Sequence, residues 1–363
     1  GMLDRFKVPK EDQIRISQDS LRASVTAIFK KMGLESEDAA NGADVLVTAD
    51  LRGIETHGVS NKMADYVRMY TSNEINPRPE WRIVRESPGT AVIDGDRGLG
   101  IILGNKAMSL AIEKARSVGV GIVTIYNSAH LGAVGHFSMQ AANEGMVGMC
   151  GTALGLGILP TYGAVPRLGT NPISIAAPAG DEPPLLFDAA TSAVAGNKLR
   201  LAARVGADLL PGWVASKDGT PIMENAPVPE AGEYHMLPIG GTREQGSHKG
   251  YGFGMMVEIL ATMLSGVLPN MVDPSAKARH YFAAYDIAAF TDLDNFTSNM
   301  DQMLKTLRET KPAPGHDRVL YPGLSESEDE QERRANGIPL HQEVVEWFDD
   351  LTGKLLVPRL VRM

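Results

Sequence analysis

Four short constellations in this 363-residue chain set a titratable or polar side chain among glycines. Thr56-His57-Gly58 places an imidazole between a hydroxyl and a residue with no side chain, just past a helical pattern. Imidazole exchanges its proton near neutral pH, so His57 is a candidate general acid or base; the competing reading is a satisfied structural histidine. Asn127-Ser128-Ala129-His130-Leu131-Gly132-Ala133 reads as strand, polar turn and helix start. Backbone N–H groups there suit a phosphate, or serve only as a cap. Gly169-Thr170-Asn171-Pro172 is followed by Asp188-Ala189-Ala190-Thr191-Ser192. Asp188 ends the apolar run Leu185-Leu186-Phe187, which puts a carboxylate at a strand end, in a cleft or as a helix cap. His248-Lys249-Gly250-Tyr251-Gly252 sets a lysine at the start of an apolar helix, where it can meet a phosphate or merely snorkel to solvent.

What the chain lacks narrows the chemistry. Gly155-Leu156-Gly157-Ile158-Leu159-Pro160 has proline where a dinucleotide fingerprint needs its third glycine, and Gly98-Leu99-Gly100-Ile101-Ile102-Leu103-Gly104 is one residue too long. No GxxxxGK[ST], GxSxG or HExxH motif occurs. The single cysteine, Cys150, excludes intrachain disulfides and CxxC sites. His130 and His136 are six apart, a spacing that suits no helical face, so no metal site is expected. Lys and Arg total 35 against 44 Asp and Glu, a net charge of −9, which argues against a nucleic-acid partner while leaving room for a local basic pocket.

The elements that must position these groups follow from periodicity. Leu21, Val25, Ile28, Phe29 and Met32 trace one helix face, stopped by Gly33. Ser36 with Glu37 and Asp38 opens a second helix, and residues 62–70 predict a third. Asn76-Pro77-Arg78-Pro79 marks a first domain boundary. Strands are expected at 81–84, 90–94, 119–125, 146–150 and 173–177, and helices at 105–118, 134–145 and 340–355. Residues 249–267 are apolar nearly all round, which predicts a central helix. The charge-dense stretch 326–334 reads as a solvated helix start. Strands and helices do not alternate as a doubly wound sheet requires, so the expected class is α+β, with a mixed or antiparallel sheet and a helical domain. Asp4, Arg5, Lys7, Lys10, Glu11 and Asp12 leave no apolar leader, Gly1 ahead of Met2 reads as a cloning remnant, and the longest charge-free stretch, 145–166, is glycine-rich and broken by Pro160. No membrane partner and a reduced, cytoplasmic setting are therefore expected.

Taken together, the wording and order of the motifs resemble the malate/L-lactate dehydrogenase family of non-Rossmann type. The resemblance is carried by Ala49-Asp50-Leu51-Arg52-Gly53-Ile54-Glu55-Thr56-His57-Gly58-Val59, by Asp94-Gly95-Asp96-Arg97-Gly98-Leu99-Gly100, and by the segments 127–132, 168–172 and 188–195 with Lys198. Pro211-Gly212-Trp213, Lys249-Gly250-Tyr251-Gly252, Pro322-Gly323 and Gly337-Ile338-Pro339-Leu340 complete it. It implies a homodimer with the active site near the subunit boundary, a helical domain from residues 1–78 and 305–363, and an α+β cofactor domain of mainly antiparallel topology over 79–304. It implies hydride transfer between NAD or NADP and C2 of a small 2-hydroxy or 2-oxo acid.

By the same resemblance His57 matches the general acid/base, with Thr56 and Asp188 as relay or nicotinamide-side partners. His130, Leu131, Gly132, Ala133, Thr170, Asn171, Asp188, Ala189, Lys249, Gly250, Pro322 and Gly323 fall where the family holds its cofactor, and His130 also faces the substrate. The family pattern His-Gly-Val-x-Arg departs here, because Asn61 stands where the carboxylate-gripping arginine is expected, with Lys62 beside it. Gly323-Leu324-Ser325-Glu326 likewise replaces Gly-Glu-Arg-Glu. Asn cannot reproduce bidentate recognition, which leaves two further readings: a nicotinamide-binding dimer with little turnover, or a lyase or hydrolase built on His57 and Asp188.

Overall fold

The computed structural model describes residues 9–363, apart from the side chains at 201, 204 and 205. Of the residues behind the leader expectation, Asp4, Arg5 and Lys7 lie outside the described residues. The chain begins with β1 (Gln13–Ile16), α1 (Gln18–Lys31), α2 (Ser36–Leu51), a 3-10 turn over Glu55–His57 and α3 (Val59–Thr71). Then come β2 (Arg82–Glu86), β3 (Thr90–Asp94), α4 (Gly100–Val118), β4 (Val120–Ser128), α5 (Gly135–Ala142), β5 (Met146–Ala153), β6 (Ile173–Ala177) and β7 (Leu185–Ala189). The second half contributes α6 (Gly196–Val205), β8 (Val214–Ser216), β9 (Tyr234–Met236), α7 (Ser247–Val257), β10 (Ala278–Asp286), α8 (Leu293–Arg308), α9 (Leu324–Asn336), β11 (Ile338–His341) and α10 (Gln342–Leu355).

Seven strands form one sheet in the order β2-β3-β4-β10-β5-β6-β7. Only the β3–β4 pair is parallel, so the sheet is mixed and mainly antiparallel, as expected. Alternation along β10 serves two faces. Phe282 and Ala284 join a core with α4 and α5, while Tyr281 and Ala283 pack under the segment that follows α7. β10 sits at the centre of the sheet, yet Arg279 and His280 hide it from a search for apolar runs. Both are buried and partnered: Arg279 pairs with Glu258 at 3.3 Å, and His280 bridges Ser128 and Thr152 at 2.9 and 2.8 Å.

The two ends of the chain meet where β1 pairs antiparallel with β11, bringing α1, α2, α3 and α10 together. Their apolar faces share one continuous core with α4 and the sheet. One expectation is corrected. The apolar stretch from 249 does not run through the centre: α7 and the π-helical turn Glu258–Met263 lie on the sheet, with Phe253, Ile259 and Leu264 about half exposed on the outer side. No helix among the described residues is long and apolar enough to cross a membrane.

Candidate active site

The two histidines of the sequence motifs meet. His57 and His130 stack with ring centroids 5.9 Å apart and planes 9° from parallel. His57 sits in the 3-10 turn between α2 and α3, with Nδ1 2.9 Å from Thr56 Oγ1. His130 lies in the loop between β4 and α5, and its Nδ1 accepts the Gly132 N–H at 3.2 Å. That donor fixes the tautomer: the ring proton is on Nε2, so the Tyr66 hydroxyl, 2.7 Å from Nδ1, donates to it. Gly100 brings the His130 loop close, since a Cβ there would lie 2.7 Å from His130 O.

Both histidines are half-buried. Burial pushes the His57 pKa down to about 4, and the nearby Lys62 ammonium adds to the shift. Burial, then Lys62, then His57 itself hold His130 well below the usual imidazole range. The pair is therefore neutral at pH 7. Lys62 makes no ion pair among the described residues; burial lowers its pKa, Asp65 opposes the shift and Arg200 adds to it. Asn61 stands elsewhere: it is exposed, and its Nδ2 donates to Glu55 O at 2.7 Å, which closes the 3-10 turn. Adjacent residues on a helix point about 100° apart, so only one of the two can face the imidazoles.

The turn is anchored from behind by Asp50, near the end of α2 and fully buried. Its Oδ2 accepts the Val59 N–H at 2.8 Å, satisfying one of the orphan donors at the start of α3. Gly58 is required by this approach, because a Cβ on it would lie 1.9 Å from Asp50 Oδ1. Burial raises the Asp50 pKa to about 7 against the lowering pull of that hydrogen bond. From α9, Arg333 donates to Asp50 O at 2.6 Å and reaches Glu55 at 3.2 Å. α3, held in this way, carries both Lys62 and Tyr66 to the imidazoles.

Asp188 is not a partner of His57. Its Oδ2 accepts the Gly135 N–H at 2.7 Å, which caps α5, and burial raises its pKa to about 6. A cleft of about 470 Å³ runs from Ile54 and Ala133, beside the two histidine loops, to Leu186 on β7 and Glu330 on α9. Pro322 and Gly323 close on the same strand: Leu186 N donates to Pro322 O at 3.1 Å. Leu131 is wholly buried in the core, so only its backbone borders the loop.

Thr170, Asn171 and Gly250 are linked through Thr191 and Ile239. Thr191, three residues past Asp188, donates to Thr170 O and Asn171 O, and Ile239, against which Gly250 packs, donates to Thr191 O. Lys249 is exposed at the start of α7. Ala189 continues β7 opposite Ile173. Among the described residues no group of His, Cys, Asp and Glu could hold a metal ion.

Sequence reasoning did not single out Tyr66, Asp50 or the α6 residues Asn197 and Arg200. Asn197 Nδ2 donates to Thr56 O at 3.0 Å and so joins α6 to the histidine turn. Tyr66 had a readable signal, lying four residues past Lys62 on the same helix face.

The malate/L-lactate dehydrogenase family pattern matches residues 16–349. The chain is 37% identical to a malate dehydrogenase of Pyrococcus horikoshii over 356 residues, 96% of this chain and 98% of that one. It is 34% identical to the L-sulfolactate dehydrogenase of Methanocaldococcus jannaschii over 90% of its length and 93% of the relative's. The crystal structure of malate dehydrogenase from Entamoeba histolytica superposes with a TM-score of 0.89 at 33% identity, covering 95% and 99% of the two chains. Sheet, helices and relatives define an oxidoreductase built without a Rossmann domain. The chain belongs to the malate/L-lactate dehydrogenase family.

Proposed function

We propose that this protein oxidises and re-forms a small 2-hydroxy acid, using NAD or NADP as hydride carrier and His57 as general acid/base. The observation that carries the reading is the stacked, neutral His57–His130 pair beside the unpaired Lys62. The printed activities of the relatives, malate and sulfolactate dehydrogenation, support the substrate class.

The bound nicotinamide would supply or take the hydride at C2. The residues present fit such a group. The cleft has the size of a ligand site, and on its wall Gln140 Oε1 and Arg52 Nε are buried with no partner among the described residues, so it has unspent hydrogen-bonding capacity. We assign the cofactor to Ala133, Asp188, Ala189, Pro322 and Gly323 on this side, with Thr170, Asn171, Lys249 and Gly250 beyond. Asp188 already occupies the Gly135 N–H, so the cofactor phosphates are assigned to Lys249 rather than to the start of α5.

In oxidation, neutral His57 takes the proton of the substrate hydroxyl, and Thr56 steadies Nδ1 so that Nε2 faces the reacting oxygen. In reduction, a proton must first be on the ring. A carboxylate paired with Lys62 cancels the charge that opposes ring protonation, so substrate binding itself raises the His57 pKa. Lys62 thus takes the task expected of an arginine at position 61. The open apolar side of α7 supports the homodimer. The helical part, residues 1–78 and 305–363, is assigned mainly to holding the His57 turn, and 79–304 to most of the cofactor contacts, with Pro322 and Gly323 added from the first part and Asn197 steadying the turn from the second.

The test is a spectrophotometric screen for reduced nicotinamide, crossing NAD and NADP with malate, lactate, sulfolactate and ureidoglycolate. Turnover of at least one acid is expected. Nicotinamide binding with no turnover on any acid would contradict the reading.

A further inference from the structure

Three features outside the imidazole pair compete for a role: the buried Arg279–Glu258 pair, the cavity of about 380 Å³ beside the start of α7, and the short helix α6. The first is spent on other side chains of the chain, with Thr262 and Asn270 completing the Arg279 shell. The cavity offers Ser247, whose hydroxyl is already paired with Thr161 at 3.1 Å. α6 alone points at the reaction.

α6 is fastened to the catalytic turn through one side chain. Asn197 donates to Thr56 O with Nδ2, and its Oδ1 accepts from the Arg200 guanidinium. Arg200 is therefore held two hydrogen bonds from the residue next to His57. The base of α6 is packed by Val194, Leu199 and Ala202, with the Lys198 ammonium 5.7 Å from the centre of the Trp213 ring. Arg200 is exposed and makes no ion pair among the described residues; neither does Lys62. Arg200 is near enough to push the Lys62 pKa down. Two cations without an ion pair among the described residues thus stand near the two neutral imidazoles, Lys62 five residues past His57 and Arg200 two hydrogen bonds from Thr56, with Asp65 offsetting part of the field at Lys62. Such a pair repels itself until negative charge enters between. One carboxylate neutralises one cation; a second anionic group is needed for the other.

We propose that Arg200 is a specificity-determining residue that binds the distal anionic group of a dianionic 2-hydroxy or 2-oxo acid, while Lys62 binds the carboxylate next to the reacting carbon. The inference rests on the dehydrogenase reading above and narrows its substrate class to acids with a second carboxylate or a sulfonate. The planar guanidinium suits either group, since both present paired oxygens. Because α6 meets the turn through Asn197, the same contact sets where Arg200 stands.

The experiment compares kcat and KM for oxaloacetate, sulfopyruvate and pyruvate in the wild type, Arg200→Gln and Asn197→Ala. Arg200→Gln lowers the kcat/KM ratio of oxaloacetate over pyruvate about 10–100-fold, mainly through KM, which is the loss of one charge-assisted bond. Asn197→Ala lowers it in the same direction by less. A parallel fall with sulfopyruvate means that charge is what Arg200 reads; a fall confined to one of the two dianions identifies that group as the ligand. An unchanged ratio in an Arg200→Gln protein that still turns over, or an equal loss on all three acids, overturns the assignment alone. No turnover of any acid by the wild type overturns the dehydrogenase reading, and this assignment with it.

Discussion

Around His57 the backbone is tied to three other elements: Asp50 of α2 holds Val59, Arg333 of α9 holds Asp50 and Glu55, and Asn197 of α6 holds Thr56. At the start of α7 the Lys249 side chain stands exposed, with no side-chain hydrogen bond or ion pair among the described residues, and its glycine neighbours set the approach of the backbone rather than of the side chain. The contrast follows from the tasks proposed for the two regions. A proton must be delivered to one atom at hydrogen-bond distance, and a misplacement of about 1 Å can cost on the order of a hundredfold. A phosphate charge can be met by a flexible ammonium from several positions. Precision is bought at the turn by burying a carboxyl that would otherwise prefer water.

The comparison is broken most strongly at the turn. His57→Ala should lower turnover about 10²–10⁴-fold while cofactor affinity stays within a few fold, measured by steady-state kinetics and fluorescence titration. Near-native kcat would move the acid/base role to His130.

Asp50→Asn sharpens the contrast by removing charge and keeping an acceptor for Val59. The Asp50 pKa is raised to about 7, so between its usual 3.8 and 7 the folded protein holds a proton the unfolded chain has released. Its contribution to stability is present below pH 3.8 and is lost as pH rises through 7. The variant lacks this loss and should be about 2–4 kcal/mol more stable than the wild type at pH 8, with the difference vanishing toward pH 4. Denaturant unfolding at the two pH values checks it; equal stability at both would mean that the carboxylate is better solvated than its burial implies.

At the α7 side the effect should be smaller. Lys249→Ala should weaken NADH or NADPH binding about tenfold with the melting temperature unchanged, as read by titration. An unchanged dissociation constant for both would remove Lys249 from the phosphate site.

Smallest of all should be Asn61→Arg. The Asn61 side chain is exposed and turned to Glu55, so a new arginine changes kcat/KM for malate by less than about threefold. A large gain would mean that position 61, rather than Lys62, faces the substrate carboxylate.

Much of this was legible in the amino-acid order, for reasons that differ from part to part. Local periodicity gave α1, α2, α4 and α10 to within a few residues, because each has one apolar face over a shared core. The absence of a dinucleotide fingerprint agrees with a sheet whose only parallel pair is β3–β4. His57 and His130 were found as glycine-flanked polar turns. Their stacking was not legible, since 73 positions separate them and only the docking of α3 against the His130 loop brings them together.

At position 61 a motif compares residue types and not directions: Asn61 fills the motif position, but its side chain is turned to Glu55, and the proposed function gives the carboxylate to Lys62. β10 escaped notice because it opens on two polar residues, and the partners that make His280 tolerable in a core, Ser128 and Thr152, lie more than 100 positions away. The outer face of α7 looked central because an apolar helix is equally consistent with a core and with an open apolar side.

Under the proposed function, His57 is neutral in the free enzyme and accepts the substrate proton. The most direct test is the pH dependence of kcat/KM for hydroxy-acid oxidation, which reports the groups of the free enzyme. With the His57 pKa lowered to about 4, the rate should hold as pH falls through 6.5 and decline only toward 4, and His57→Ala should abolish that acid limb. An acid limb centred near 6.5 that survives in His57→Ala would contradict the assignment of His57 as the proton acceptor.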